Sequence, residues 1–158
     1  MCIRDRDGVC LTAAEAGGDC MAFDISQETL RRTTIGAWDE NHRVNLERPL
    51  AHGDEIGGHF VSGHVDGAVA VLAVTEGRGA HRVTFELPAA HAPYVARKGS
   101  VCVNGVSLTV NEATPESFTV NLIPHTLART NLSELRAGSR VNLEVDLLGR
   151  YLARLLNR

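Results

Sequence analysis

The sequence predicts an all-β protein: two small β-barrels in tandem, the first incomplete, followed by a C-terminal α-helix. Three observations carry that prediction. Residues 7–50 align with residues 104–147 without a gap, at a constant offset of 97 and with sixteen identities over 44 positions. The apolar runs are short and are punctuated by Gly, Pro and Asn, as strands are. Only the last twelve residues place apolar side chains at helical spacing.

The repeat decides the architecture, because self-similarity at a fixed period marks a duplicated unit. Its identities include Gly8/Gly105, Leu11/Leu108, Thr12/Thr109, Thr29/Thr126, Asn45/Asn142 and Glu47/Glu144. The second copy carries 53 residues (51–103) ahead of its aligned block, whereas the first carries six, leaving it 47 short. Those six, MCIRDR, place Arg4, Asp5 and Arg6 where the second copy has Val101, Cys102 and Val103. Charged side chains do not replace an apolar strand facing a core. Residues 1–6 are therefore expected to be a non-native scar or truncated start, outside the fold. Residues 7–50 are then the C-terminal half of the first barrel, 51–146 the second barrel and 147–158 the helix.

Taken in order, 59–74 and 82–87 read as strands, and 92–98 as a short helix over an opening. Val101–Val110 contains Asn104-Gly105, a turn signal between apolar runs. Phe118–Ile123 alternates and is closed by Pro124, which has no N–H to give a ladder. Arg140–Asp146 alternates as well, with Val141, Leu143 and Val145 on one face and Asn142, Glu144 and Asp146 on the other. Five or six short strands in one repeat predict a small closed barrel, which removes exposed edges. In the final segment Leu147, Leu148, Tyr151, Leu152, Leu155 and Leu156 form one stripe, with Arg150, Arg154 and Arg158 opposite. That helix packs either on its own barrel or against its copies in an oligomer.

Composition excludes several classes. A net charge of −3 with interspersed signs gives no basic stripe for nucleic acid. Four Phe, two Tyr and one Trp leave few stacking platforms for an oligonucleotide-binding barrel. The longest apolar stretch, 67–74, is far short of the roughly 20 residues of a membrane helix. No signal-peptide pattern opens the chain, so a cytoplasmic protein is expected. The four cysteines form no C-x-x-C pair, which argues against zinc. His59 and His64 lie five apart, and on the expected strand they point to opposite faces, so no metal is expected.

Three stretches then stand out: GDEIGGHFVSGHVDG (53–67), KGSVCVNGVSLTVNE (98–112) and NLIPHTLARTNL (121–132). In the first copy GVCLT (8–12), ETLRRTT (28–34) and VNLERPL (44–50) repeat the theme. With these motifs the sequence resembles the riboflavin synthase family over residues 7–156. The resemblance implies two Greek-key barrels and a C-terminal helix through which three copies assemble. It implies two molecules of 6,7-dimethyl-8-ribityllumazine as substrates, between which a four-carbon unit moves, with no metal or organic cofactor. It places the active site where the first barrel of one subunit faces the second barrel of a neighbour.

Carried over residue by residue, the resemblance gives Cys10, His64, Ser107 and Asp146 as catalytic candidates. Thr12, Thr29, His59, Lys98, Thr109, Ile123 and Thr126 become substrate-binding candidates. Such a site suits the chemistry, since a histidine, hydroxyls and a thiol can shuttle protons and add to a ring carbon without a metal. Plainer readings stand beside these. Cys10 is otherwise a small buried apolar residue, His59 a structural histidine and Asp146 a strand-end residue in water. The family's serine ahead of GVCLT falls on Ile3, inside the mismatched opening. A non-catalytic, antenna-type lumazine or flavin binder of the same fold is the alternative function, although such relatives lose the polar site residues that are present in this chain; a synthase left inactive by its truncated first barrel is a further alternative.

Overall fold

The computed structural model describes residues 3–156, with side chains from Asp5 onward. The first copy consists of β1 (Ile3–Arg6), β2 (Val9–Gly17), β3 (Cys20–Phe23), α1 (Gln27–Arg32), a 3-10 turn at Thr34–Ala37 and β4 (Leu46–Glu47). The second comprises β5 (Gly67–Glu76), β6 (His81–Glu86), β7 (Ser100–Val103), β8 (Val106–Ala113), β9 (Ser117–Leu122), α2 (Pro124–Arg129), a 3-10 turn at Asn131–Glu134 and β10 (Arg140–Val145). Helix α3 (Leu147–Leu156) ends the described chain. Met1 and Cys2 of the expected scar, and Asn157 and Arg158 of the expected helix, lie outside the described residues.

β5 to β10 close into a six-stranded antiparallel barrel in the order β10-β5-β6-β9-β8-β7. Alternation fills it: Val69, Val71, Val83, Phe85, Val110, Phe118, Val120, Val141 and Leu143 all point inward. Phe85 and Phe118 sit opposite each other on β6 and β9, their rings stacked at 5.1 Å. The first copy forms an open sheet, β3-β2-β1-β4. This is the order β9-β8-β7-β10 of the barrel, displaced by one repeat. Among the described residues the first copy has no counterparts of β5 and β6, which in the barrel join β10 to β9. A bulge recurs too, between Ala13 and Glu15 in the first copy and between Val110 and Glu112 in the second.

Three expectations are corrected here. Residues 3–6 are not outside the fold but form β1, paired to β2 and β4. Arg6 is buried because its guanidinium lies 3.7 Å over the Phe23 ring and donates to the Met21 sulfur, so a cation occupies what charge alone would forbid. Second, residues 59–66 are not a strand; the ladder begins at Gly67, because residues 62 and 63 turn their amides toward Glu144. Third, the helix expected over 92–98 shrinks to a 3-10 turn, Ala92–Tyr94, after which Val95 is extended and Lys98 takes a positive φ of 67°. The polar face of β10 is buried as well: Asn142 lies under the first copy and Glu144 under residues 62 and 63.

That cover is a reciprocal lock. The Asp7-Gly8 and Asn104-Gly105 turns, all four residues at positive φ, meet back to back. A Cβ on either glycine would fall under 3 Å from the other's backbone nitrogen. Around them the hydrogen bonds cross between copies. The Asn45 amide donates to the Asn104 carbonyl, and its side-chain oxygen accepts from the Asn131 N–H. The Asn142 amide donates to the Asp7 carbonyl, and its oxygen accepts from the Thr34 N–H. Each bond is the other's image at an offset of 97, and each contributes about 0.5–1.5 kcal/mol.

α3 is capped by Asp146, whose Oδ1 accepts from the Leu148 N–H at 3.0 Å. A bidentate pair ties it down, Arg150 to Asp66 at 2.7 Å on both arms. Its apolar stripe points away from its own barrel: Leu148, Tyr151, Leu152, Leu155 and Leu156 are all more than half exposed. Of the two packings open to this helix, burial against its own barrel is therefore not adopted by these five.

Candidate functional site

Between the copies lies a cleft of about 710 Å³, lined by Asp5 and Cys10, by residues 45–50, by much of 55–62, by Gly105–Ser107 and by Arg129 and Thr130. Two equivalent rows of side chains build it. Across β4, β1 and β2 the row is Glu47, Asp5, Cys10; across β10, β7 and β8 it is Glu144, Cys102, Ser107. Alternation puts each row on the face of its sheet that turns away from the barrel core.

The loop 57–66 bridges these rows. Gly58 and Gly63 both have positive φ, 87° and 75°. A Cβ at Gly58 would overlap the Ser107 side chain at 2.2 Å, and one at Gly63 would meet the Cys10 backbone nitrogen at 2.7 Å. The GGHFVSGH motif thus lays one glycine on each of two residues that the repeat makes equivalent. The Gly63 carbonyl accepts from the Cys10 N–H at 2.8 Å, and His59 Nδ1 shares a 2.7 Å hydrogen bond with Ser107 Oγ. Glu144 holds the loop from beneath. Its Oε1 accepts from the Ser62 N–H and hydroxyl, and its Oε2 from the Gly63 N–H.

Electrostatics follow from burial among carboxylates. Burial above all, with Glu47, Glu144 and Asp7 adding to it and a hydrogen bond from Gly8 opposing it, lifts the Asp5 carboxyl to about 6. The Cys10 thiol is raised first by burial, then by Asp5 and Glu144, so it stays protonated at neutral pH. Burial raises the Cys102 thiol still more.

Of the expected site residues, the cleft brings together Cys10, His59 and Ser107. The others lie outside it. Thr12 and Thr109 are exposed two residues further along β2 and β8. Thr29 sits on α1 against Ser26, and Thr126 sits on α2, its carbonyl accepting from the Thr130 hydroxyl. Ile123, more than half exposed, precedes α2, and Lys98 is exposed in the turn before β7. His64 is exposed, its carbonyl bonded by Arg150, and Asp146 is engaged in capping α3. The sequence reading passed over Glu144, Ser62, Asn45 and Asn142. The signal was present, since Asn45/Asn142 and Glu47/Glu144 are identities in the repeat, and a polar residue kept in both copies points to a partner.

The fold and the doubled cleft define a tandem β-barrel protein whose two copies present equivalent polar rows. A family model described as the lumazine binding domain matches it twice, at residues 6–49 and 62–146. Riboflavin synthase of Brucella abortus (strain 2308) is 45% identical over 94% of this chain and 76% of its own length. The riboflavin synthase of Bacillus subtilis (strain 168) is 37% identical over 96% of this chain and 71% of its own. The crystal structure of LumP complexed with riboflavin superposes with a TM-score of 0.84 at 26% identity, covering 91% of this chain and 78% of that one. LumP complexed with 6,7-dimethyl-8-(1'-D-ribityl) lumazine superposes at 0.81. The chain belongs to the riboflavin synthase family of lumazine-binding-domain proteins.

Proposed function

We propose that this chain is a transferase that makes riboflavin from two molecules of 6,7-dimethyl-8-ribityllumazine, the second product being 5-amino-6-ribitylamino-pyrimidinedione. The observation that carries this is the duplication of the polar face. Cys10, Thr12 and Thr29 recur as Ser107, Thr109 and Thr126 at a constant offset, and a dismutation consumes two copies of one substrate. In this reading Thr12 and Thr29 hold one lumazine, while Lys98, Thr109, Ile123 and Thr126 hold the other.

The methyl group on C7 of one ring loses a proton to a modest base, because the ring delocalises the charge. The exposed His64 suits that proton, since an imidazole can both take and return one. The other ring is activated by addition of water, a hydroxyl or a thiol at its C7. The raised Cys10 thiol favours a role as a polar, hydrogen-bonding contact over attack as thiolate. Ser107, oriented by His59, offers a hydroxyl beside it, and Asp146 a carboxylate near the second repeat. Holding two flat rings face to face supplies several kcal/mol of the acceleration. No metal or organic cofactor enters this scheme.

The exposed stripe on α3 supports assembly through that helix, and we infer a homotrimer in the cytoplasm, with sites shared between neighbours. Incubation of the chain with 6,7-dimethyl-8-ribityllumazine tests the activity. Riboflavin is expected to appear in visible absorbance at one mole per two moles of lumazine consumed. Quenching of lumazine fluorescence with no riboflavin formed would instead mean either a binding-competent but inactive chain or the antenna-type reading, which the LumP superposition makes specific.

A further inference from the structure

Glu144 anchors, from beneath, the loop that bridges Cys10 and Ser107. We propose that Glu144 is a positioning residue for the reaction, holding loop 57–64 so that one end stays packed on Cys10 of the first copy and the other stays bonded to Ser107 of the second, each a face that a neighbouring subunit completes. The proposal rests on the riboflavin synthase reading above and goes beyond it, since Glu144 touches neither of the expected ligand faces.

Glu144 is 3% exposed, and its carboxylate accepts from the Ser62 N–H at 2.8 Å, the Ser62 hydroxyl at 2.7 Å and the Gly63 N–H at 3.0 Å. A buried charge is costly unless fully hydrogen-bonded, so a carboxylate kept in this position fixes its three donors firmly. Those donors lie in the middle of the loop, and each end of the loop carries a cleft contact. On one side Gly63 packs on Cys10 and accepts its N–H. On the other, four residues earlier, His59 bonds Ser107. Glu144 also stands in the same strand row as Ser107, through Cys102. The carboxylate therefore references the loop to the very sheet that carries Ser107, while the loop in turn references Cys10. The loop belongs to the second copy and reaches Cys10 of the first.

Glu144→Gln tests this in the whole chain. The substitution keeps one acceptor and turns the other into a donor facing an N–H. The expected result is a fall in kcat of about tenfold or more, with KM and lumazine affinity held within about twofold, since a misplaced group costs rate more than binding. Ser62→Ala, at an exposed residue that is safe for folding, removes one of the three bonds and should lower kcat about threefold. The double variant should be no slower than Glu144→Gln alone, because both act through one loop. Unchanged turnover in both single variants, a loss of affinity matching the loss of rate, or multiplying effects would overturn the proposal. If the parent chain forms no riboflavin, the functional reading fails, and the anchor is judged by amide hydrogen exchange instead. Glu144→Gln should then speed exchange at Cys10 and Gly63 about tenfold or more, with the barrel amides of Val83 and Val120 unaffected. Equal exchange at Cys10 and Gly63 in parent and variant would count against it.

Discussion

Asp7 shows how one atom separates two otherwise equivalent turns. The second copy has Asn104 at this place, and both residues accept a backbone N–H across the turn, from Asn45 and from Asn142 respectively. Asp7 is almost fully buried, and burial pushes its carboxyl above the usual range, against hydrogen bonds from Asn45 and Asn131 and the nearby His42. A carboxyl raised in the folded state costs no stability below its unfolded pKa of about 3.9 and lowers stability as pH rises through its folded value. Asp7→Asn should therefore raise the melting temperature at pH 7 by about 2–4 °C, the shift that about 1 kcal/mol gives in a chain of this size. The gain should vanish at pH 4, and thermal denaturation at the two pH values checks it. Gly63 sets the opposite case. Its positive φ alone costs an L-residue about 1–2 kcal/mol, and its Cβ would strike strand backbone, which has no rotamer to yield. Gly63→Ala should lower the urea midpoint and leave Cys10 more accessible to alkylation. An unchanged midpoint would show that the loop does not lie on Cys10.

At the scale of elements, the second copy was legible in the sequence because each strand is short, alternating and bounded. The Asn104-Gly105 turn, Pro124 after β9 and the inward valines of β10 all declare themselves. Three features were not legible, for physical reasons. β1 hides because Arg6 is buried by stacking on Phe23, a contact supplied by another strand. The loop 57–66 contains the apolar run of a strand, and only tertiary bonds to Glu144 pull it out of a ladder. The outer face of β10 gives no local sign of its burial, because the first copy covers Asn142 and the loop covers Glu144. Among the site residues, Cys10, His59 and Ser107 were found through motifs, whereas Glu144 lies in no motif and acts through bonds 81 and 82 residues away in sequence. The lock between copies gives its own prediction. Asn142→Ala leaves the Asp7 carbonyl and the Thr34 N–H buried without partners, at about 1–3 kcal/mol each. Asn45→Ala should cost less, because Asn45 is only half-buried and water can replace it. Chemical denaturation of the two variants orders them.

For the whole molecule, the closed barrel and the open sheet have unequal means of support. The barrel has the large core, while in the first copy Val9 and Leu11 are the buried apolar residues. The first copy is therefore held through the turn lock and the loop, and the two should unfold together rather than in sequence. The α3 stripe is the other feature at this scale. Five exposed apolar residues on one helix face exceed what a monomer ordinarily shows to water. Sedimentation should return a species of three times the 17.0 kDa chain mass, and Leu152→Glu should return the monomer with the barrel intact by circular dichroism. A parent chain that sediments as a monomer would remove the shared-site part of the scheme.

The central claim is that duplication supplies two equivalent ligand faces. The most direct measurement is a titration of 6,7-dimethyl-8-ribityllumazine fluorescence with the chain, read for stoichiometry. Two lumazines bound per chain, falling to one in Thr109→Ala, is the result this account predicts. One lumazine per chain, with Thr12→Ala without effect, would contradict it.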